Sequence, residues 1–160
     1  MTVVGGVLLA CGILLSGMFE TILVPTKRRA EDDAAERRAV DIAAIHDGEV
    51  VGLFVADPRA TPVSTKLSAE EVTDVFLEDT DHPARTLESL AQERDVPVSR
   101  ATRVGRPASE IVACAEAIDA DLVVMDTHAR SGLKRHLLGS TTERTLRQSD
   151  VPVLCIPVSE

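Results

Sequence analysis

Short apolar runs alternate with longer amphipathic segments along most of this 160-residue chain. The runs have the lengths of buried strands, and turn-forming residues bound them. They are TILVPT at 21–26, EVVGLFVAD at 49–57, PVSRATRV at 97–104, DLVVMD at 121–126 and VPVLCIPV at 151–158. Strands that alternate with helices form a parallel sheet covered by right-handed crossovers. We therefore predict a single α/β domain on an open, five-stranded parallel sheet with helices on both faces.

The segments between the runs show helical periodicity. We predict helices within 30–46 and 68–94, the second interrupted near Pro83, and a helix that begins at Pro107. The last helix is predicted over 140–148. Ligands of open parallel sheets bind beyond the carboxyl ends of the strands, at the point where the strand order switches. The loops that follow the strands are therefore the candidate sites.

The composition excludes several classes of function. A net charge of −9 and the absence of Trp and Tyr disfavour nucleic-acid binding. The three cysteines form no CxxC pair and the four histidines have no metal-ligand spacing, so we predict neither a disulfide framework nor a metal site. We also predict no catalytic residues, because His128 beside Asp126 is a local neighbour and no other nucleophile–base pair is recognisable.

Residues 1–17 form an apolar N-terminal extension, and 18–160 form the predicted domain. The uncharged stretch 3–19 is at the lower length limit for a membrane-spanning helix. One interpretation is a membrane anchor, with the basic cluster Lys27–Arg29 holding the domain on the cytoplasmic face. The other, which we favour, is that translation starts at Met18 and the protein is cytoplasmic.

The stretch VVMDTHARSGLKRHLLGSTTERTL, residues 123–146, carries the most chemistry. Gly139 allows close approach of a ligand to the backbone, whereas Ser140 with Glu143 matches a capping box at a helix start. The capping box alone explains the pattern. The functional alternative is that the helix N-terminus binds an anion, assisted by basic residues just upstream, Arg130, Lys134 and Arg135.

The order of these segments resembles the universal stress protein family. The matching segments are ILVPT, VVGLFVAD, GRPASEIV and ADLVVMDTHARSGLKRHLLGSTTERTLRQSDVPVLCIP, and the resemblance spans residues 18–158. It implies a Rossmann-like fold of the adenine nucleotide alpha hydrolase-like type. Many members bind ATP, and many form homodimers through the last strand.

The ATP signature of that family is only partly present. Its two leading glycines are replaced by Asp126 and Ala129, its final glycine–serine pair is kept at Gly139 and Ser140, and Lys27 stands where ATP-binding members carry an acidic residue. The nucleotide-binding residues that the resemblance implies are Thr26, Val55, Met125, Ala129, Arg130, Gly139, Ser140 and Thr141.

Asp126 decides between two functions. A carboxylate about 5 Å from a phosphate repels it by roughly 3 kcal/mol at an effective dielectric of about 20. Nearby cations or a bridging magnesium ion can offset this repulsion, and alternatively Asp126 pairs with Arg130 or Lys27 and closes an empty pocket. We expect a stress-response, homodimeric sensor that binds ATP weakly and is no dedicated enzyme, although slow ATP hydrolysis stays open. The alternative is a nucleotide-free dimeric scaffold that regulates a partner protein.

Overall fold

A computed structural model of the protein describes residues 17–27, 33–59, 83–127 and 138–157. Its strands are β1 (Thr21–Thr26), β2 (Glu49–Ala56), β3 (Val98–Val104), β4 (Leu122–Asp126) and β5 (Val153–Ile156). All strand pairs are parallel, and the order across the sheet is β3-β2-β1-β4-β5. The predicted five-stranded parallel sheet is therefore confirmed.

The described helices lie between the strands, as the alternation predicted. They are α1 (Ala34–His46), α2 (Arg85–Glu93), α3 (Pro107–Ala117) and α4 (Ser140–Gln148). The start of the predicted helix 30–46 and most of the helical segment 68–94 lie outside the described residues. Within the described ranges, none of the helices has both the length and the apolar character needed to cross a bilayer.

Alternate residues of each strand pack against opposite helix layers. On one face, Ile22 and Val24 of β1 pack against α1 and α2. On the other face, Leu23 of β1 and Leu53 of β2 pack against α3, and α4 lies beside α3. Strands buried on both faces explain the unbroken apolar runs in the sequence.

The pairing of β1 with its two neighbours is unequal. β1 is in register with β2 over all six of its residues, from Thr21↔Glu49 to Thr26↔Phe54. Its register with β4 covers only Ile22↔Leu122 and Leu23↔Val123. We call the unpaired space between the carboxyl-terminal halves of β1 and β4 the seam. It lies where the strand order switches direction, which is the position at which such sheets bind ligands.

Acidic residues accumulate at the opposite, amino edge of the sheet. Three helices are followed by an aspartate with a left-handed backbone: Asp47 is the C-cap of α1, at φ 54°, and Asp95 and Asp119, at φ 54° and 51°, come directly after the C-caps of α2 and α3. Asp121 is used structurally, because its Oδ2 accepts hydrogen bonds from the backbone N–H groups of Glu20 at 2.9 Å and Thr21 at 3.0 Å. Asp121 at the amino edge therefore fixes the start of β1.

Candidate functional site

An ion pair bridges the seam. Lys27 follows β1 and Asp126 ends β4, and Lys27 Nζ donates to Asp126 Oδ1 at 2.7 Å and Oδ2 at 2.8 Å. The side chain of Lys27 is 45% exposed and that of Asp126 is 20% exposed. Of the two partners considered for Asp126, the structure shows Lys27, and Arg130 lies outside the described residues. The Asp126 carboxylate is therefore compensated by an adjacent positive charge.

The predicted residues on the strands reach the carboxyl edge on two different faces. Thr26 is buried on the face of α1 and α2, and its hydroxyl donates to Leu53 O at 3.3 Å. Met125 is buried in the core on the α3 face, against which the half-buried Val55 also packs. A ligand that contacts all three must therefore lie across the end of the sheet. Ala129 lies outside the described residues.

The N-terminus of α4 stands at the end of β4. Thr142 in the first turn donates its hydroxyl to the backbone oxygen of Asp126 at 3.0 Å, which anchors the helix next to the ion pair. Because this bond involves the backbone of Asp126, it does not depend on that side chain. The first turn of α4 is thus held beside the seam.

The predicted capping box is wrong. Gly139 is the N-cap residue, because its oxygen accepts the helix bond from the backbone N–H of Glu143 at 2.9 Å. Ser140 is already the first helical residue, and no side chain caps the first turn among the described residues. The Glu143 carboxylate instead accepts from Arg147 at 3.0 Å.

Gly139 has a backbone that does not require glycine. Its φ of −60° and ψ of 149° lie in the extended region open to any residue. Backbone conformation therefore does not explain the glycine at this position. Gly139, Ser140 and Thr141 form a helix start that no side chain of the described residues caps, and such a start presents backbone N–H groups and the positive end of the helix dipole.

A buried carboxyl beside the seam was not identified from the sequence. Glu36, in the first turn of α1, is only 6% exposed. Burial raises the pKa of Glu36 above its ordinary value of 4.5; a hydrogen bond with its own backbone N–H opposes the rise, Asp126 and Asp33 add to it, and Lys27 opposes it. In the sequence, Glu36 lies in a charged helical segment. The only local indication that it is buried is its position between Ala35 and Ala39, which are buried as well.

The described part of the chain holds no cluster of three or more His, Cys, Asp or Glu side chains suited to a metal ion. In the ion pair, both oxygens of Asp126 lie within hydrogen-bond distance of Lys27 Nζ. A divalent ion that bound Asp126 would therefore have to displace the Lys27 ammonium.

The family model and the related sequences that match this chain point to the same family. The chain matches the universal stress protein family over residues 18–157. A universal stress protein of Methanocaldococcus jannaschii is 31% identical over 140 residues, which are 87% of this chain and 82% of that one. One from Mycobacterium tuberculosis is 36% identical over 127 residues, and this chain spans 37% of its length.

Solved structures agree with the sequence relatives. A second protein of M. jannaschii superposes with a TM-score of 0.73 at 26% identity, covering 89% of this chain and 99% of that one. A universal stress protein in complex with cAMP shares the fold, with a TM-score of 0.68, 22% identity and coverage of 89% of this chain and all of that one. The chain belongs to the universal stress protein family.

Proposed function

We propose that this chain is a stress-response regulatory module that binds an adenine nucleotide weakly at the seam and acts as a homodimer. ATP is the expected ligand, with magnesium only as the ion that accompanies its phosphates. The proposal includes no dedicated catalytic activity, and no nucleic-acid partner is expected from the negative net charge. It places the protein in the cytoplasm, or on the cytoplasmic face of a membrane if residues 1–17 are an anchor.

The N-terminus of α4 carries the proposal, because no side chain in the described part of the chain caps it. Its first turn is anchored to the end of β4 by the Thr142–Asp126 hydrogen bond, and Gly139 adds no side chain there. Backbone N–H groups and the helix dipole together favour a phosphate at such a position. The complex of a related fold with cAMP supports an adenine nucleotide as the anion.

Weak binding follows from the Lys27–Asp126 ion pair. A phosphate near the seam meets a lysine and an aspartate whose charges cancel, so the site offers less attraction than a lone lysine would give. If Lys27 turns toward the phosphate, the Lys27–Asp126 ion pair breaks. Whether the ion pair stays intact or breaks, it offsets part of the binding free energy that the helix N-terminus contributes.

The proposed dimer uses β5. This strand is at an edge of the sheet, and all four of its residues are partly exposed. An apolar edge strand with unpaired backbone groups needs a cover, and a second copy can supply one by two-fold pairing.

A second candidate function is a nucleotide-free dimeric scaffold that regulates a partner protein. The ion pair favours it, because Lys27 Nζ and both oxygens of Asp126 are already matched across the seam. In that function the fold serves as a rigid surface and the seam stays closed.

Isothermal titration calorimetry with ATP on the full chain separates the two functions. Wild type should bind, and Gly139→Val should abolish binding because a branched side chain fills the space at the helix start. The backbone of Gly139 accommodates valine, so the variant should keep its melting temperature. Ser109→Val, at an exposed position in the first turn of α3, is the matched control and should bind like wild type.

Native mass spectrometry of the purified protein gives an independent readout. Co-purified adenine nucleotide supports the proposal. If calorimetry detects no binding and no nucleotide co-purifies, the scaffold remains as the function.

A further inference from the structure

Glu36 is an ionisable group that lies inside the protein. It is 94% buried, at the start of α1, and among the described residues its carboxylate has a hydrogen bond only with its own backbone N–H. A buried carboxylate without a matched partner is costly, so such a group is rare unless it has a role.

The charged groups that face Glu36 come from three elements. They are Lys27 after β1, Asp126 at the end of β4 and Asp33 just before α1. Two of these are the partners of the ion pair across the seam. Glu36 is therefore electrically coupled to the ion pair, and its helix, α1, packs against both β1 and β4.

We propose that Glu36 is a positioning residue that sets the charge of the seam, so that the affinity for an anionic nucleotide falls when Glu36 ionises. This inference rests on the proposed nucleotide binding. With Glu36 neutral, the charges of Lys27 and Asp126 cancel, so these three described residues together carry no net charge. With Glu36 ionised, two carboxylates share one ammonium and the same three residues carry a net negative charge.

Two physical effects then act in the same direction. The negative charge repels phosphate through a medium that screens it poorly, because Glu36 is buried. The ionised carboxylate also attracts the Lys27 ammonium, which makes Lys27 less available to the nucleotide. The raised pKa of Glu36 brings its titration closer to the neutral range.

The test is the affinity for cAMP between about pH 5 and about pH 8, measured by calorimetry. This probe is chosen because its phosphodiester keeps one negative charge throughout that range. Wild type should lose about tenfold in affinity as pH rises. Glu36→Gln, which keeps the shape, should bind at high pH as tightly as wild type does at low pH.

Two further variants separate charge from structure. Glu36→Asp keeps the carboxyl and should keep a pH-dependent affinity. Glu110→Gln is the matched control, because Glu110 is also in the first turn of a helix but pairs with Arg103 away from the seam. Its affinity profile should follow wild type. The ¹⁵N resonance of Lys27 Nζ should shift with Glu36 titration in wild type and not in Glu36→Gln.

The outcomes are distinct. Binding with the same pH profile in wild type and Glu36→Gln overturns this inference and leaves the proposed function intact. No binding of cAMP or ATP by either protein at any pH overturns the proposed function, and the inference fails with it. If the affinity depends on pH in wild type, Glu36→Asp and Glu110→Gln but not in Glu36→Gln, the inference and the proposed function are both supported.

Discussion

Neutralising Asp126 should strengthen nucleotide binding. In Asp126→Asn the side chain keeps its size, and the anchor of α4 remains because Thr142 bonds the backbone oxygen of residue 126. The charge of the ion pair changes from zero to plus one, since Lys27 loses its partner. A phosphate at the helix start should then be attracted by an uncancelled ammonium.

The size of the effect follows from Coulomb's law and exposure. A unit charge about 5 Å from a phosphate contributes about 3 kcal/mol at an effective dielectric of about 20, and about 0.8 kcal/mol in bulk water. The side chain of Lys27 is 45% exposed and that of Asp126 is 20% exposed, so the site lies between these limits. We expect a gain of about 1–2 kcal/mol, or about five- to thirtyfold in affinity.

A double-mutant cycle of Lys27 and Asp126 tests whether their charges control the affinity for ATP. Lys27→Gln leaves the seam negative and should weaken ATP binding by a similar factor, while the double variant is neutral again and should return to within about threefold of wild type. Calorimetry at low and high salt should show the gain in Asp126→Asn shrinking with ionic strength. If Asp126→Asn binds no better than wild type without magnesium, Asp126 does not face the phosphates. If wild type binds only with magnesium, Asp126 instead helps to hold the ion.

Further predictions concern assembly, stability and the N-terminus. Leu154→Lys on β5 should convert the dimer to monomer in sedimentation, and a wild type that is monomeric at high concentration contradicts the dimer. Gly48→Ala should lower the free energy of unfolding by about 1–3 kcal/mol in denaturant titration, because a Cβ there meets the backbone oxygens of Phe19 and, at 2.8 Å, Glu20; unchanged stability would contradict this. Glu36→Gln should stabilise the protein only above the ordinary pKa of 4.5. A carboxyl whose pKa is higher in the folded than in the unfolded chain lowers the free energy of unfolding as pH rises, by about 1.4 kcal/mol for each tenfold difference in acidity between the two states. An equal gain in stability at low pH would contradict the burial of an ionised Glu36. A chain that begins at Met18 should fold and stay soluble, and native peptides from upstream of Met18 would overturn the later start.

The strands were predictable because burial on both faces leaves a direct mark on the sequence. TILVPT matches β1 residue for residue, and the alternation of strands with helices was sufficient to predict parallel pairing. The last run was predicted too long, because Val151, Pro152 and Pro157 are apolar but lie outside the ladder of β5.

The site was less predictable because it depends on contacts between distant residues. Lys27 and Asp126 are 99 positions apart, and only the order of β1 and β4 shows that they meet. The capping box failed because Ser140 and Glu143 have the right spacing while the chain enters the helix one residue earlier, at Gly139. Burial of Glu36 has no local signature, since a glutamate near a helix start is most often exposed.

The seam also divides the sheet mechanically. β5 is in register with all but the first residue of β4, and Thr127 N–H extends the ladder to Ile156 O at 2.9 Å. Thr142 fastens α4 to the same strand. β4, β5 and α4 are therefore joined to one another by hydrogen bonds, whereas β1 and β4 are in register only at Ile22 and Leu23. We expect any shift of β4 that a ligand in the seam causes to be passed to β5 through their shared ladder.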